Sequence, residues 1–318
     1  MTDGLVLLLG LFVLIKGAGF LVEGASVVAT RFGVSGLVIG LTVVSFGTSM
    51  PELLVSLTSG LKSNPDLAIA NVIGSNIANV LLVLGIAAIV RPLPVRDSTV
   101  VSEIPFSLTA ALLVGFLANA HLFSSDFKLS ISRADGGILL FFFALFMLYV
   151  YKMSTSTESP VTPARVEGSM KRAVAYILLG AVGLYFGGQW VVDGAVGVAH
   201  ELGINDALIG LTIVAVGTSA PELVASAVAA YRNQTDIAVG NVVGSNIFNL
   251  LWVLGLTSSI VELPFEVVSN SDLLVVIASS AMIIFALVSS RKNTVNRFHG
   301  VVFVAVYIAY LVYVVQRG

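Results

Sequence analysis

Two glutamates, each inside a long apolar stretch, are the residues in this sequence most able to do chemistry. Glu52 ends the phrase Gly-Thr-Ser-Met-Pro-Glu at 47–52, and Glu222 ends Gly-Thr-Ser-Ala-Pro-Glu at 217–222. At the centre of a bilayer, an ionisable side chain costs at least about 2.5–3.5 kcal/mol on insertion scales quoted for Asp, Lys and Arg. Two carboxylates kept at equivalent positions despite that cost predict a functional site.

Small polar residues accompany each glutamate at helical spacing. Positions four residues apart share one helix face, and two such rows occur in each copy: Thr48, Glu52, Ser56 with Asn71, Ser75, Asn79, and Thr218, Glu222, Ser226 with Asn241, Ser245, Asn249. All of these offer oxygen atoms, which hard cations such as Ca²⁺ bind in sets of about 6–8 at roughly 2.3–2.6 Å. The chain has no cysteine and the cluster has no histidine, so zinc and copper do not suit it.

A proline precedes each glutamate and interrupts its helix. Pro51 and Pro221 lack a backbone N–H and disturb the preceding turn. The carbonyls released in this way must face protein, water or an ion when they lie at membrane depth. Gly74 and Gly244, beside the second row of each copy, allow close approach of another helix or local unwinding. Broken helices of this kind predict a binding site.

Two structural alternatives account for the same residues. Ser-x-x-Glu at 49–52 and 219–222 fits a helix capping box, although a cap alone could use glutamine. The asparagine and serine rows could simply join helices by hydrogen bonds. Both alternatives stay open on the sequence alone.

The elements that position these residues are membrane-spanning helices. Hydrophobic residues make up 57% of the 318 and charged residues only 11%, against about 25% charged in soluble domains. A span needs about 20 mainly apolar residues. We predict an all-α polytopic membrane protein with ten spans, near 4–30, 34–61, 66–90, 98–119, 135–152, 172–200, 204–231, 236–260, 268–289 and 298–315.

The spans form two repeats separated by 170 residues. Positions 39–56 match 209–226 at 12 of 18 places, and 66–85 match 236–255 at 13 of 20. A unit with an odd number of spans leaves its second copy inverted in the membrane, which is a common transporter plan. We therefore predict a first five-helix repeat at 1–152, a linker at 153–170 and a second, inverted repeat at 171–318.

Basic residues predict the orientation. One side collects four and the other eleven, with Lys16 left inside a span. The smaller set is Lys62, Lys128, Arg133 and Arg317; the larger is Arg31, Arg91, Arg96, Lys152, Arg165, Lys171, Arg172, Arg232, Arg291, Lys292 and Arg297. By the positive-inside rule, the linker is cytoplasmic and both termini are outside. We expect an integral protein of the plasma or inner membrane.

Composition also limits the partners. A net charge of −2 without a basic stripe argues against nucleic acid. The expected surroundings are membrane lipid, with no obligatory protein partner evident and no resident cofactor. Without a cysteine nucleophile, and with no histidine that recurs in both repeats, an intramembrane enzyme is disfavoured, although two glutamates could in principle do acid–base chemistry. We therefore expect a protein that is not an enzyme.

At the repeated phrases, the chain resembles the sodium/calcium exchanger branch of the calcium/cation antiporter superfamily. Both copies carry a Gly-Thr-Ser-x-Pro-Glu block and a later Gly-Asn-x-x-Gly-Ser-Asn-like block, with Ala70 in place of the first glycine in copy one. The resemblance covers essentially all ten predicted spans. It implies ten helices, inverted halves, a central ion site and alternating access in which the first and sixth helices slide across the core. Prokaryotic-type members lack a regulatory domain between the halves. The linker here is likewise too short to contain one.

The resemblance also implies a ligand set. Matched by position, the metal ligands are Glu52, Glu222, Thr48, Thr218, Ser49, Ser219, Ser75, Ser245, Asn79 and Asn249, with the backbone carbonyls of Ser45 and Ala215. Asn249 departs from relatives that have aspartate there, an acid linked to K⁺ in potassium-dependent exchangers. The Gly-Thr-Ser-x-Pro-Glu form also differs from that of proton-coupled relatives. Both differences favour Na⁺ as the counter-ion.

The resulting expectation is a secondary antiporter that exchanges Na⁺ for Ca²⁺ and extrudes calcium. A Ca²⁺/H⁺ antiporter, or one for another cation, is the first alternative. A cation channel is the second, since acidic rings line pores, usually with several subunits contributing.

Overall fold

The structure is a computed structural model that describes residues 2–62, 65–120, 129–155, 169–201, 215–266, 269–290 and 292–317. The first half contains α1 Thr2–Phe32, α2 Gly36–Ile39, α3 Ser45–Thr48, α4 Met50–Leu61, α5 Pro65–Ala78, α6 Gly85–Val90, α7 Asp97–Val101, α8 Glu103–Asn119 and α9 Arg133–Thr155. The second contains α10 Met170–Glu201, α11 Ala215–Gly217, α12 Ala220–Tyr231, α13 Thr235–Ile247, α14 Leu254–Ile260, α15 Ser269–Ser289 and α16 Arg297–Arg317.

Within the described residues, three π-helical segments join these helices without ending them. They are Gly40–Val44 between α2 and α3, Asn79–Leu84 between α5 and α6, and Phe248–Val253 between α13 and α14. Such wide turns occur often at functional sites in helices. Here they flank or contain the polar rows of the repeated phrases.

The predicted fold class is confirmed: the chain is a helical polytopic membrane protein. In the described part of the chain, eight helices are long and apolar enough to span a membrane, and a bent pair, Gly36–Thr48 with Met50–Leu61, forms a further candidate. These nine agree with nine of the ten predicted spans. The first part of the tenth predicted span, at 204–231, lies outside the described residues. Most of the predicted linker at 153–170 also lies outside them.

Four short strands in the described part of the chain tie the two halves together. The strands are β1 Leu93–Pro94, β2 Ser130–Ile131, β3 Leu263–Pro264 and β4 Thr294–Val295. β1 pairs antiparallel with β4, and β2 with β3. Each strand of the first repeat therefore pairs with a strand of the second, and the two pairs are related as expected for two similar halves.

Strand pairing also constrains the number of crossings. Paired strands lie on one side of the membrane, so an even number of crossings must separate β1 from β4. Five long described helices lie between them, and one further crossing is needed between α10 and α13, where α11 and α12 lie. This parity agrees with ten spans.

The core is built from the two helices that follow the glutamate phrases. The spans Asp66–Val90 and Thr235–Ile260 are far more buried than the others. Side chains such as Val72, Ile77 and Val242 are completely enclosed. The second polar row of each repeat therefore lies at the centre of the molecule, and the other spans surround it.

α1 and α10 pack against each other through small residues. A Cβ atom added to Gly180 would lie 2.5 Å from the backbone nitrogen of Leu21, and one added to Gly187 would lie 2.7 Å from that of Leu14. The two backbones are therefore in direct contact, as small residues permit in membranes. Gly188 of α10 faces Pro221 of α12, so the pair lies beside a glutamate phrase.

Candidate functional site

Each glutamate begins a new helix after a break. Pro51 lies in the first turn of α4 and Pro221 in the first turn of α12. Gly36–Thr48 and Met50–Leu61 meet at an angle of 45°. Because proline has no N–H, the carbonyls four residues earlier, at Gly47 and Gly217, lose their usual helical donors. The break predicted from the prolines is present.

Ser49 does not cap its own helix. It occupies the position before α4, but its side chain makes no capping hydrogen bond. Its hydroxyl donates instead to Oε1 of Glu222 at 3.1 Å. Ser219 likewise makes no cap, and its buried Oγ has no partner among the described residues. The capping-box alternative is therefore wrong for both serines, and the two repeated phrases meet.

Glu52 and Glu222 are completely buried, and only one carboxylate oxygen of each accepts a side-chain hydrogen bond. The Ser75 hydroxyl donates to Oε1 of Glu52 at 3.3 Å. Oε2 of each glutamate is buried without a hydrogen-bond partner, and neither carboxylate makes an ion pair within the described ranges. An unpaired buried charge is expensive unless something compensates it. The two glutamates therefore provide a site with a strong preference for cations.

One asparagine in each repeat fixes the backbone of the neighbouring glutamate. Nδ2 of Asn71 donates to Ser56 Oγ at 2.9 Å and to the Glu52 carbonyl at 3.2 Å. Asn241 makes the equivalent bonds to Ser226 Oγ at 2.9 Å and to the Glu222 carbonyl at 3.4 Å. These amides hold each glutamate helix on the buried helix that follows it.

Asn241 has an additional partner that Asn71 lacks in this conformation. Its Oδ1 accepts a hydrogen bond from the Thr48 hydroxyl at 3.1 Å. We expect Asn241→Ala to destabilise the protein by about 0.5–1.5 kcal/mol more than Asn71→Ala, because it removes one more buried hydrogen bond, while the Thr48 hydroxyl keeps the Ser45 carbonyl as a partner. Thermal unfolding in detergent checks this difference. Equal melting temperatures for the two variants would contradict it.

Asn79 and Asn249 lie where the second polar row enters its π-helical segment. Both side chains are completely buried. All four of their amide nitrogen and oxygen atoms lack a hydrogen-bond partner within the described part of the chain. Buried amides are normally bonded, so these two side chains, one from each repeat, are available to a ligand.

The two halves of the site are not equivalent. Thr48 is fully buried against α13, with its Oγ1 also 3.4 Å from Ser245 Oγ. Its counterpart Thr218 is half-buried. α3 is thus closed onto the second repeat, while the equivalent contact of the second phrase is looser. The sequence, in which both phrases are nearly identical, carries no sign of this difference.

The two predicted backbone ligands are the carbonyls of Ser45 and Ala215, and hydrogen bonds are described for the first of them. The Ser45 carbonyl accepts the Ser49 amide at 2.9 Å and the Thr48 hydroxyl at 3.3 Å, so an ion there has to displace one of them. Ala215 begins α11, and its side chain lies outside the described residues. The Gly47 and Gly217 carbonyls were not among the predicted ligands. Counting four residues back from each proline would have found them.

The family profile described as "Sodium/calcium exchanger protein" matches residues 3–152 and 172–316. The chain belongs to this family. The match is interrupted only around the predicted linker, so the family profile includes both halves of the chain. The family resemblance seen in the repeated phrases is thereby confirmed.

Known relatives cover the exchanger almost end to end. It is 32% identical, over an alignment of 340 positions, to the sodium/calcium exchanger MaX1 of Methanosarcina acetivorans, and the alignment covers 97% of each chain. It is 36% identical to the inner membrane protein YrbG of Escherichia coli, covering 91% of this chain and 89% of YrbG. The solved sodium-calcium exchanger NCX_Mj, soaked with Na⁺ and Ca²⁺, superposes with a TM-score of 0.82 at 33% identity over 98% of each chain.

Proposed function

We propose that this protein is a secondary antiporter that exchanges Na⁺ for Ca²⁺ at the site formed by Glu52 and Glu222. The observation that carries the proposal is the pair of fully buried carboxylates between the repeats, each with one oxygen unbonded. Around them lie neutral oxygen donors. Such a set suits hard cations, and the names of MaX1 and NCX_Mj support this pair of ions.

Charge compensation explains why one site can exchange these ions. Two carboxylates balance one Ca²⁺, or more than one Na⁺ with partial compensation. Moving the empty, doubly charged site through a low-dielectric environment is costly, since buried charges need partners. Only the loaded site then changes its access from one side to the other, and the two ion fluxes are coupled.

The proposed ligands come equally from both repeats. Glu52 and Glu222 supply the charge, and the half-bonded or unbonded donors around them complete the coordination. The full set is Glu52, Thr48, Ser49, Ser75, Asn79 and the Ser45 carbonyl, with Glu222, Thr218, Ser219, Ser245, Asn249 and the Ala215 carbonyl. The Gly47 and Gly217 carbonyls are additional candidates.

Na⁺ is the preferred counter-ion because the amide of Asn249 adds no titratable group to the site. An H⁺-coupled antiporter or a channel would give a different flux pattern. In proteoliposomes loaded with Na⁺, we expect rapid uptake of radiolabelled Ca²⁺ on dilution into K⁺ medium, and none into Na⁺ medium. Uptake that follows a pH gradient would identify the H⁺ alternative. Uptake without any counter-ion gradient would identify a channel.

The proposed orientation has both termini outside and the linker at 153–170 in the cytoplasm, in the plasma or inner membrane. Support comes from the excess of basic residues on the linker side. The repeats at 1–152 and 171–318 are then inverted halves. A single cysteine in the linker of this cysteine-free chain should resist a membrane-impermeant thiol reagent in intact cells. Labelling without permeabilisation would overturn the orientation.

A further inference from the structure

Arg232 connects α12 to the middle of α1. It lies directly after α12, and its Nη1 donates to the backbone carbonyl of Gly19 at 2.8 Å. The same nitrogen lies 4.0 Å from a carboxylate oxygen of Glu23, one turn further along α1. The contact therefore fixes the position of α1 along its own axis.

Gly19 provides the space for this contact. A Cβ atom there would lie 3.1 Å from Nη2 and 3.8 Å from Cζ of Arg232. No other described group outside the helix's own backbone comes within 4 Å of that position. The glycine face is thus occupied by the guanidinium alone, so a side chain at this position would displace Arg232 and little else.

The inverted repeat contains a counterpart to this contact that is not made here. At an offset of 170 residues, Arg232 corresponds to Lys62, Gly19 to Gln189 and Glu23 to Asp193. Lys62 and Asp193 are both exposed. Neither makes an ion pair in the described structure. One half has therefore formed the contact that the other half has left open, which parallels the difference between Thr48 and Thr218.

Resting on the proposed exchange function, we propose that Arg232 is a positioning residue that holds α1 in the conformation seen here. In the opposite conformation this contact opens, and Lys62 approaches Asp193 of α10 instead. The two contacts are unequal. Gln189 carries a side chain where Gly19 has none, and lysine cannot match the forked donors of arginine. The observed conformation is therefore the more strongly held of the two.

A distance measurement tests the proposal directly. The chain has no cysteine, so spin labels can be attached to Phe32→Cys on α1 and Val101→Cys on α7, both exposed sites. In detergent without Na⁺ or Ca²⁺, we expect one main distance. Arg232→Gln and Gly19→Leu should each raise the ratio of a second distance to the first by about fivefold, a value typical of weak coupling between sites.

Matched variants separate this effect from a general loss of charge. Arg91 hydrogen-bonds Asn233, next to Arg232, but reaches the loop rather than α1, so Arg91→Gln should leave the distances unchanged. Lys62→Gln should lower the population of the second distance. Unchanged distances in both Arg232→Gln and Gly19→Leu would overturn the proposal, and so would an equal shift in Arg91→Gln.

Transport by the same samples distinguishes this proposal from the function on which it rests. If reconstituted protein exchanges Na⁺ for Ca²⁺ while Arg232→Gln and Gly19→Leu keep the original distance, the positioning role is wrong and the exchange function stands. If unmodified protein shows no Na⁺-dependent Ca²⁺ flux, the exchange function fails whatever the distances are. The expected combination is active exchange together with a shifted distance in both variants.

Discussion

Glu52→Gln and Glu222→Gln are each expected to reduce Na⁺-gradient-driven Ca²⁺ uptake to the level of protein-free liposomes. Either change removes one of the two charges that balance Ca²⁺, and a buried ion with an uncompensated charge is strongly disfavoured. It also replaces an acceptor oxygen by an NH₂ group, which cannot bind a cation. The measurement is initial uptake of radiolabelled Ca²⁺ in proteoliposomes with equal protein content.

Glu103 provides a matched control for the loss of a buried glutamate. It is completely buried, and its Oε1 accepts the Tyr149 hydroxyl at 2.5 Å, between α8 and α9 and outside the repeated phrases in sequence. Glu103→Gln keeps the side-chain size and is expected to retain exchange. Full exchange in both Glu52→Gln and Glu222→Gln would show that the ions bind elsewhere.

Gly180→Ala is expected to slow exchange by at least about tenfold while leaving Ca²⁺ binding nearly unchanged. The added Cβ would lie 2.5 Å from the Leu21 nitrogen and 2.8 Å from the Gly17 carbonyl oxygen. α1 and α10 would have to separate, since backbone atoms cannot yield as a flexible side chain does. The proposed ligands lie on other helices, so binding and movement should be affected differently.

Two assays on one preparation check this prediction. Equilibrium Ca²⁺ binding in detergent reports the site, and flux in proteoliposomes reports the movement. Gly137→Ala is the control, because no described atom lies within 4 Å of a Cβ at that position on α9. A Gly180→Ala protein that transports normally would show that α1 and α10 need not stay in close contact.

The repeated phrases allowed much of the architecture to be predicted from the sequence. Their spacing placed Glu52 and Glu222 on equivalent helices, and the prolines predicted the break before each helix. The apolar segments predicted ten spans, a number that agrees with the parity of the strand pairing. These features depend on local chemistry and on repetition, both of which a sequence displays directly.

Other features depend on which atoms meet across the two halves. Ser49 matches a capping pattern, but its hydroxyl is used by Glu222, 173 residues away. Thr48 and Thr218 occupy nearly identical phrases, but only Thr48 is fully buried, where α3 packs against α13. A sequence that serves two conformations cannot indicate which of them is populated.

Competition between the two ions for one buried site is the central claim, and equilibrium binding tests it most directly. Purified protein is titrated with radiolabelled Ca²⁺ at increasing Na⁺, with K⁺ keeping the ionic strength constant. We expect a single Ca²⁺ site from which Na⁺ displaces Ca²⁺ completely, with a Hill coefficient above one, and no such site in Glu52→Gln or Glu222→Gln. Ca²⁺ binding that is indifferent to Na⁺, or that persists in both variants, would contradict it.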